Sequence, residues 1–268
     1  MDSPGFARCI TAFSQMRPEP SHRAELISQL RKGEAVRVLE QQDNWTLAET
    51  EHGYRGFVRT AQLKPFSARD FSLLFEGITG ISEAEQAGFP FSAGSFRWKD
   101  EAGPEIPGFL QKQSFRYFSD FGAELAALAM HFTGVPYVWG GKTQWGLDCS
   151  GLVQLLVNLT GYSFPRDAWQ QAGCGIEIPY DNSFADLQKG DLLFFREEGK
   201  AIHHVAIALG GAAFIHASEW VRAQSLDPAG KDFAEDRKKT LCMVRRLIPA
   251  GLSTMADSLR NLQFHQNR

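Results

Sequence analysis

A chain of 268 residues that is 43% hydrophobic and 22% charged can bury a sizeable core. At roughly 100 to 200 residues per domain, one large domain with one or two small ones is the natural division. The formal net charge of -3, with no Lys/Arg block longer than a few residues, excludes the electrostatic footprint of a nucleic-acid or anionic-membrane binder and favours small ligands of mixed charge.

No segment reaches membrane-spanning length, and the opening MDSPGFARCI lacks the apolar core and cleavage site of a secretory signal. Cys9, Cys149, Cys174 and Cys242 form no C-x-x-C pair, which argues against a zinc site and fits a reduced chain. Read from Met1, the protein is expected to be cytoplasmic and monomeric, without nucleic-acid or membrane partners and without metal or organic cofactor.

Residues 1–66 read as strand and turn. GEAVRVLEQ sets Val36 and Val38 against Arg37 and Leu39, NWTLAE carries Trp45 and Leu47, and HGYRGFV supplies a glycine turn and another strand. Short strands joined by tight turns make a small barrel. The order KGEAVRVLE, DNWTLAE, GYRGFV and a closing AQL, over residues 6 to 65, resembles a bacterial Src-homology-three-like domain. Residues 67–118 alternate Phe-rich pieces with Gly/Pro breaks such as AGPEIPG, and a second small barrel is expected there.

From residue 119 the period changes. In SDFGAELAALAMHFTG, Leu125, Leu128, Ala129 and Phe132 follow one helical face; Ser119 or Asp120 can cap the start and Gly134 the end. VPYVWGG, a helix after Cys149, PRDAWQQAG, a buried strand in GDLLFF and two strands in HHVAIALGGAAFIHA follow, so 119–250 reads as α+β. Over 251–268, Leu252, Met255, Leu259 and Leu262 recur at helical spacing, which predicts an amphipathic tail helix.

Cys149 opens a helical run, GLDCSGLVQLLVNLTG, with Asp148 before it. Unpaired N–H groups and the dipole at a helix start favour a thiolate and are expected to lower the thiol pKa. A base is still required, and the histidines of IHHV and FIHA offer one. Cys9, Cys174, Cys242 and His131 read as structural, Trp139 as core packing, and Gly140 and Gly141 as places where backbone passes close to the site. Arg166 and Asp167 read as structural residues opening a short helix.

VPYVWGGKTQWGLDCSGLVQ, FPRDAWQQ, LQKGDLLFF, HHVAIALG and AFIHAS resemble the NlpC family of bacterial cysteine peptidases in order and spacing, from Phe121 to about Ile248. The resemblance implies a papain-like catalytic domain, helices on an antiparallel sheet, preceded by small all-β barrels. It implies Cys149 as nucleophile, His204 as base, His216 as the orienting group, and Tyr137 beside the nucleophile. Strand alternation agrees on His204: Ala206 and Ala208 share its face and leave room for a helix, while His203 points the other way.

The implied reaction is hydrolysis of the bond between γ-linked D-glutamate and a diamino acid in murein peptides. The N-terminal barrel and the absence of a signal resemble the branch that trims peptides with a free N-terminal L-Ala. Asp148, with Ser150 as its hydrogen-bonding neighbour, is then expected to hold the terminal ammonium, with an acid from the barrel, such as Glu51, as its partner. An amidase or acyltransferase on the same fold, or a non-catalytic wall-binding protein, are the alternatives.

One structural consequence is fixed by the sheet. A two-residue turn at Gly210-Gly211 would put His204 and His216 on opposite faces, so the connection must have an odd length or a strand must bulge.

Overall fold

The computed structural model describes residues 5–66, 78–82, 96–98, 109–111, 120–181, 183–255 and 257. Among these, the residues up to 111 with Trp139–Thr143 form one compact unit, and those of 120–138 and 144–252 a second.

The first unit opens with β1 (Phe6–Cys9), β2 (Phe13–Met16), β3 (Ser28–Arg31), β4 (Ala35–Gln42), β5 (Trp45–Glu49), β6 (Arg55–Arg59) and β7 (Leu63–Phe66). Five strands pair in the order β6-β5-β4-β1-β7, and β2 pairs with β3. The strand residues read from AVRVLEQ, WTLAE and YRGFV are in place, and the alternation is too: Val36 and Val38 enter a core with Ala7, Met16, Leu30, Ala48 and Val58. The AQL stretch is a 3-10 turn over Thr60–Gln62, after which β7 closes on β1 through the Leu63–Cys9 pair. Beyond it, β8 (Ile78–Ser82), β9 (Phe96–Trp98) and β10 (Phe109–Gln111) make a three-stranded sheet in the order β10-β8-β9. The second barrel expected over 67–118 and the tail helix expected over 251–268 otherwise fall on residues outside the described set.

The segment Trp139–Thr143, ending in β11 (Lys142–Thr143), is packed as part of this first unit. Gly140 has φ +75°, and a Cβ there would lie 2.6 Å from the Leu26 carbonyl oxygen, so its glycine serves close approach to Leu26 and not passage along the site. Trp139, expected in the core, is 59% exposed. The Lys142 N–H donates to Gln29 Oε1 at 2.9 Å, and its ammonium lies 3.0 Å from Glu34 Oε2. Glu34 also accepts from the Arg31 backbone N–H at 3.0 Å and from Arg31 Nε at 2.8 Å. Burial alone would raise this carboxyl, but Arg31 and then Lys142 outweigh it and hold it down at about 2. Burial lowers Lys142 in turn, with Glu34 opposing.

The second unit contains α1 (Phe121–His131), β12 (Gly146–Leu147), α2 (Cys149–Leu159), α3 (Ala168–Gln171), β13 (Ile176–Glu177), β14 (Leu192–Phe195), β15 (His204–Gly210), β16 (Ala213–Ser218), β17 (Trp220–Ser225), α4 (Glu235–Thr240) and β18 (Leu241–Arg246). Its sheet runs β13-β18-β14-β15-β16-β17, antiparallel throughout, which with the helices gives the expected α+β class. Asp120 caps α1 by accepting from the Ala123 N–H at 2.9 Å; Leu125 and Ala129 are buried, and Gly134 turns the chain at φ +90°. His131, expected as a core residue, ends α1 exposed to solvent.

Strands β15 and β16 carry the feature on which the site depends. Ile207 pairs with Ile215 and Ala208 with Phe214, but the next pair is Gly210 with Ala213, so Leu209 is an extra residue. Of the two solutions that let the histidines share a face, an odd connection or a bulge, the bulge is present, and Gly210 (φ +102°) and Gly211 (φ +56°) turn the chain where a side chain would be strained.

The buried Glu34 cluster supplies a test of the first unit. Glu34→Ala removes the carboxylate between the buried cations Arg31 and Lys142 and should cost about 3–5 kcal/mol in urea denaturation at pH 7. Lys142→Met leaves Glu34 with Arg31 and should cost much less. Because the folded carboxyl is held down at about 2, its contribution should be fully present above about pH 4.5 and vanish as pH falls through 2.

Candidate active site

Helix α2 begins at Cys149 because Asp148 precedes it in an extended conformation (φ -91°, ψ 177°) and accepts from the Gly151 N–H at 2.7 Å. Every residue of α2 is buried, so the helix is fixed on all sides. Two of its polar members reach backbone carbonyls: Gln154 Nε2 donates to that of Phe164 at 2.8 Å, and Asn158 Nδ2 to that of Tyr162 at 2.9 Å.

The Cys149 thiol lies 4.0 Å from the His203 carbonyl oxygen and is also met by the Val205 backbone N–H, so it rests against the main chain on both sides of His204. His204 opens β15, is buried, and its Nε2 is 2.8 Å from His216 Nδ1. His216 is 1% exposed, and its Nε2 is 2.8 Å from Gln224 Oε1. His203 is exposed and lies just outside the strand. Three side chains from three adjacent strands thus form one hydrogen-bonded line.

The small side chains beside His204 serve a different neighbour from the one expected. Ala206 and Ala208 do not make room for the Cys149 helix; they pack with Leu193, Phe195, Phe214 and Val244 in a cluster to which α2 contributes no side chain. The His204 ring belongs to this aromatic side, 5.5 Å from the Phe195 centroid.

The expected lowering of the thiol pKa is overturned as well. Burial pushes Cys149 up to about 11, and the Asp148 carboxylate pushes the same way, outweighing the Val205 and Ser150 N–H groups and Arg166. Burial likewise drives His204 well below its ordinary value, with the positive charge of Arg237 next, and holds His216 down at about 4. The resting pair is therefore a neutral thiol and a neutral imidazole. Tyr137 is half-buried in the same region; burial raises its phenol, and charge on Cys149 and then Asp148 would raise it further, so it remains an O–H donor.

Asp148 is not free to hold a substrate ammonium. Arg166 Nη1 donates to its Oδ1 at 3.0 Å and Nη2 to its Oδ2, while Ser150 Oγ donates to Oδ1 at 3.3 Å. Arg166 Nη1 also donates to Ser150 Oγ at 2.9 Å. All three side chains are buried, so Asp148 and Ser150 belong to a clamp on the helix start. Glu51 lies half-buried in the first unit, 3.7 Å from His52.

Two residues of the site escaped the sequence. Gln224 sits in WVRAQS, where alternation marks it only as a strand residue. Arg237, in the charged run EDRKK, holds its guanidinium 5.7 Å from the Phe195 centroid and acts electrostatically on Cys149, His204, His216 and Tyr137. A charge run of this kind reads as a solvated face.

A cysteine at a buried helix start, beside a strand histidine oriented by a second ring, places the second unit in the papain-like class of thiol enzymes. The chain belongs to the NlpC/P60 family, which matches residues 134–237, and the bacterial dipeptidyl-peptidase Sh3 domain matches residues 16–63. It is 43% identical over 117 residues to the γ-D-glutamyl-L-lysine dipeptidyl-peptidase of Bacillus subtilis, covering 43% of this chain and 37% of that one. It is 34% identical to a probable endopeptidase of Haemophilus influenzae, covering 39% of this chain and 68% of that one. Over 89% of this chain and 98% of the other, it is 26% identical to dipeptidyl-peptidase 6 of Lysinibacillus sphaericus. The chain thus spans about a third of the first relative and nearly all of the last. Among solved structures, an NlpC/P60 family protein of Bacillus cereus shares the fold, with a TM-score of 0.69 at 20% identity over 91% of this chain and 100% of that one.

The clamp on the helix start separates two roles for Asp148. Arg166→Met strands a buried carboxylate and should cost about 3–5 kcal/mol in thermal or urea unfolding. Asp148→Asn with Arg166→Gln should recover part of that loss, because no charge is left unpaired. A carboxylate that served chiefly to bind substrate would instead tolerate Arg166→Met with little change in stability.

Proposed function

We propose that the protein is a cysteine peptidase that hydrolyses the γ-D-glutamyl–L-diamino acid bond of murein peptides. The observation that carries this is the line from His204 through His216 to Gln224 with the Cys149 thiol against the main chain flanking His204. The name of the B. subtilis relative supports the choice of bond.

With His204 Nε2 engaged by His216, Nδ1 is the nitrogen left for the thiol. As Cys149 Sγ attacks the γ-carbonyl carbon, its proton passes to His204 Nδ1, and backbone N–H groups at the start of α2 meet the developing oxyanion. Collapse of the tetrahedral centre breaks the C–N bond; the proton moves from His204 to the leaving amine, and a thioester remains on Cys149. Water then attacks the thioester, His204 takes its proton, and the thiol leaves reprotonated with release of the γ-carboxylate.

The test is mass spectrometry of L-Ala-γ-D-Glu-L-Lys and its diaminopimelate counterpart incubated with the protein. Release of the dipeptide L-Ala-D-Glu is expected. Cys149→Ala and His204→Ala should each abolish it while leaving the unfolding transition in place, and His203→Ala should leave it near normal. Cleavage only of a sugar-linked amide, or acyl transfer without hydrolysis, would favour the amidase or acyltransferase reading.

We further propose selectivity for a free N-terminal amine, supported by the dipeptidyl-peptidase names of the relatives. With Asp148 committed to Arg166, the acid beside it is Asp167, half-buried, without an ion pair among the described residues, and with its carboxyl raised by burial. An ammonium there would offset that desolvation. N-acetylation of L-Ala should lower kcat/KM by about 100-fold or more, and Asp167→Asn should lower it for the free peptide while barely changing it for the acetylated one. Equal cleavage of both peptides by the unaltered protein would remove the proposal.

A further inference from the structure

Gln224 ends the hydrogen-bonded line, and the structure turns its Oε1, not its amide N–H₂, toward His216. Its Oε1 accepts and cannot donate, so the His216 Nε2 that faces it at 2.8 Å must carry a hydrogen. In a neutral ring the other nitrogen is then a bare acceptor. His216 Nδ1 is that acceptor, and it lies 2.8 Å from His204 Nε2, which must be the donor. The His204 ring is neutral too, so its Nδ1 is left with a lone pair. Both rings are neutral at pH 7: burial first, then the Arg237 charge, disfavours the cation in each, and Arg222 adds to this at His216. The variable is therefore tautomer and not protonation.

Resting on the function proposed above, we propose that Gln224 is a positioning residue that sets the tautomers of His216 and His204 in sequence and so keeps His204 Nδ1 a base. The reverse arrangement is equally self-consistent as a set of hydrogen bonds. If Gln224 offered its amide N–H₂ instead, His216 would accept at Nε2, donate from Nδ1 to His204 Nε2, and force the hydrogen of His204 onto Nδ1. Nδ1 then has no lone pair to take the Cys149 proton, and the lone pair on Nε2 is spent on His216. One amide orientation, two strands away from His204 in the sheet, decides whether the base exists.

The role of Gln224 also explains why a neutral residue suits this place. As His204 takes the thiol proton it becomes an imidazolium whose Nε2–H still donates to His216, and the line stays intact from Nε2–H to Gln224 Oε1 with no further proton transfer. The polarised amide steadies the cation without creating a permanent ion pair in a site where burial keeps every other member uncharged.

Two variants and one spectrum test this. Gln224→Met keeps length and removes the acceptor; Gln224→Glu keeps an acceptor facing His216. The ring nitrogens of protein labelled with ¹⁵N-histidine, recorded at pH 7 without substrate, should show His204 and His216 both protonated on Nε2. In Gln224→Met the Nδ1–H form of His204 should appear, kcat should fall by at least about tenfold in the direction known for a wrong tautomer, and KM should stay within about twofold. Gln224→Glu should restore the Nε2–H forms and most of kcat. Should Gln224→Met not fold, Gln224→Ala carries the same expectation. The proposal is overturned if the unaltered protein holds His204 as Nδ1–H, or if the variant without an acceptor keeps both tautomers. Because the spectrum needs no substrate, tautomers as expected in a protein that cleaves no γ-glutamyl peptide would refute the proposed reaction and leave Gln224's role standing.

Discussion

The hydrogen bond between His204 Nε2 and His216 Nδ1 is the contact to which the rest of the second unit is fitted. It requires two side chains on adjacent strands to share a face, and the sequence around them, with two glycines between paired strands, would by default place them on opposite ones. The extra residue at Leu209 shifts the register by one and removes the conflict. On β17, Phe214 stands opposite Gln224 and His216 opposite Arg222, so regular pairing there brings Gln224 to the same face as His216 without a second irregularity. One bulge therefore orders three side chains.

Burial then decides how these groups hold their protons. A helix start offers the Cys149 thiolate about half a unit of positive charge and the Ser150 N–H, which in an exposed setting lowers a thiol pKa. Here the helix is buried along its whole length and the capping residue is itself an acid, so desolvation and Asp148 win and the thiol is raised. The same desolvation lowers both imidazoles. A neutral pair in the resting state means that the charges appear together as bond formation begins, when His204 gains a proton and the attacked carbonyl oxygen becomes anionic. The cation is then steadied along the His216–Gln224 line.

The features carried by local pattern were legible in the sequence, and those made by distant chain segments were not. Val36 and Val38, Asp120 before α1, Asp148 before α2 and the buried LLFF strand follow from period and capping, which act within a few residues. The register change was legible too, because placing His204 and His216 together left only a connection of odd length or a bulge, and the bulge is the one present. Arg166 lies 18 residues from Asp148, and no spacing rule links them, so an acid at a helix start was open to two roles until its partner was seen. Gln224 and Arg237 carry no pattern of their own. Ala206 and Ala208 show the reverse case, where alternation gave the right face and the wrong neighbour, since small residues on a strand accommodate an aromatic ring as readily as a helix.

Each unit also buries an ion pair where apolar side chains would be at least as stabilising: Arg166–Asp148 in the second and Arg31–Glu34–Lys142 in the first. What the pairs share is that each fixes backbone. Asp148 accepts from the Gly151 N–H while Arg166 also reaches Ser150, so the first turn of α2 is held from two directions at the residue next to the nucleophile. Glu34 accepts from the Arg31 N–H while Lys142 donates its own N–H to Gln29, so the short β11 segment is held by main chain and side chain together. An apolar core would fill the same volume but leave those N–H groups to find other partners. A displacement of the α2 start by even 1 Å would carry Cys149 out of its place beside His204, where catalysis by positioning is most sensitive. The clamp therefore acts on the geometry of the nucleophile, and its cost in desolvation is borne by a helix that has ample buried apolar surface to offset it.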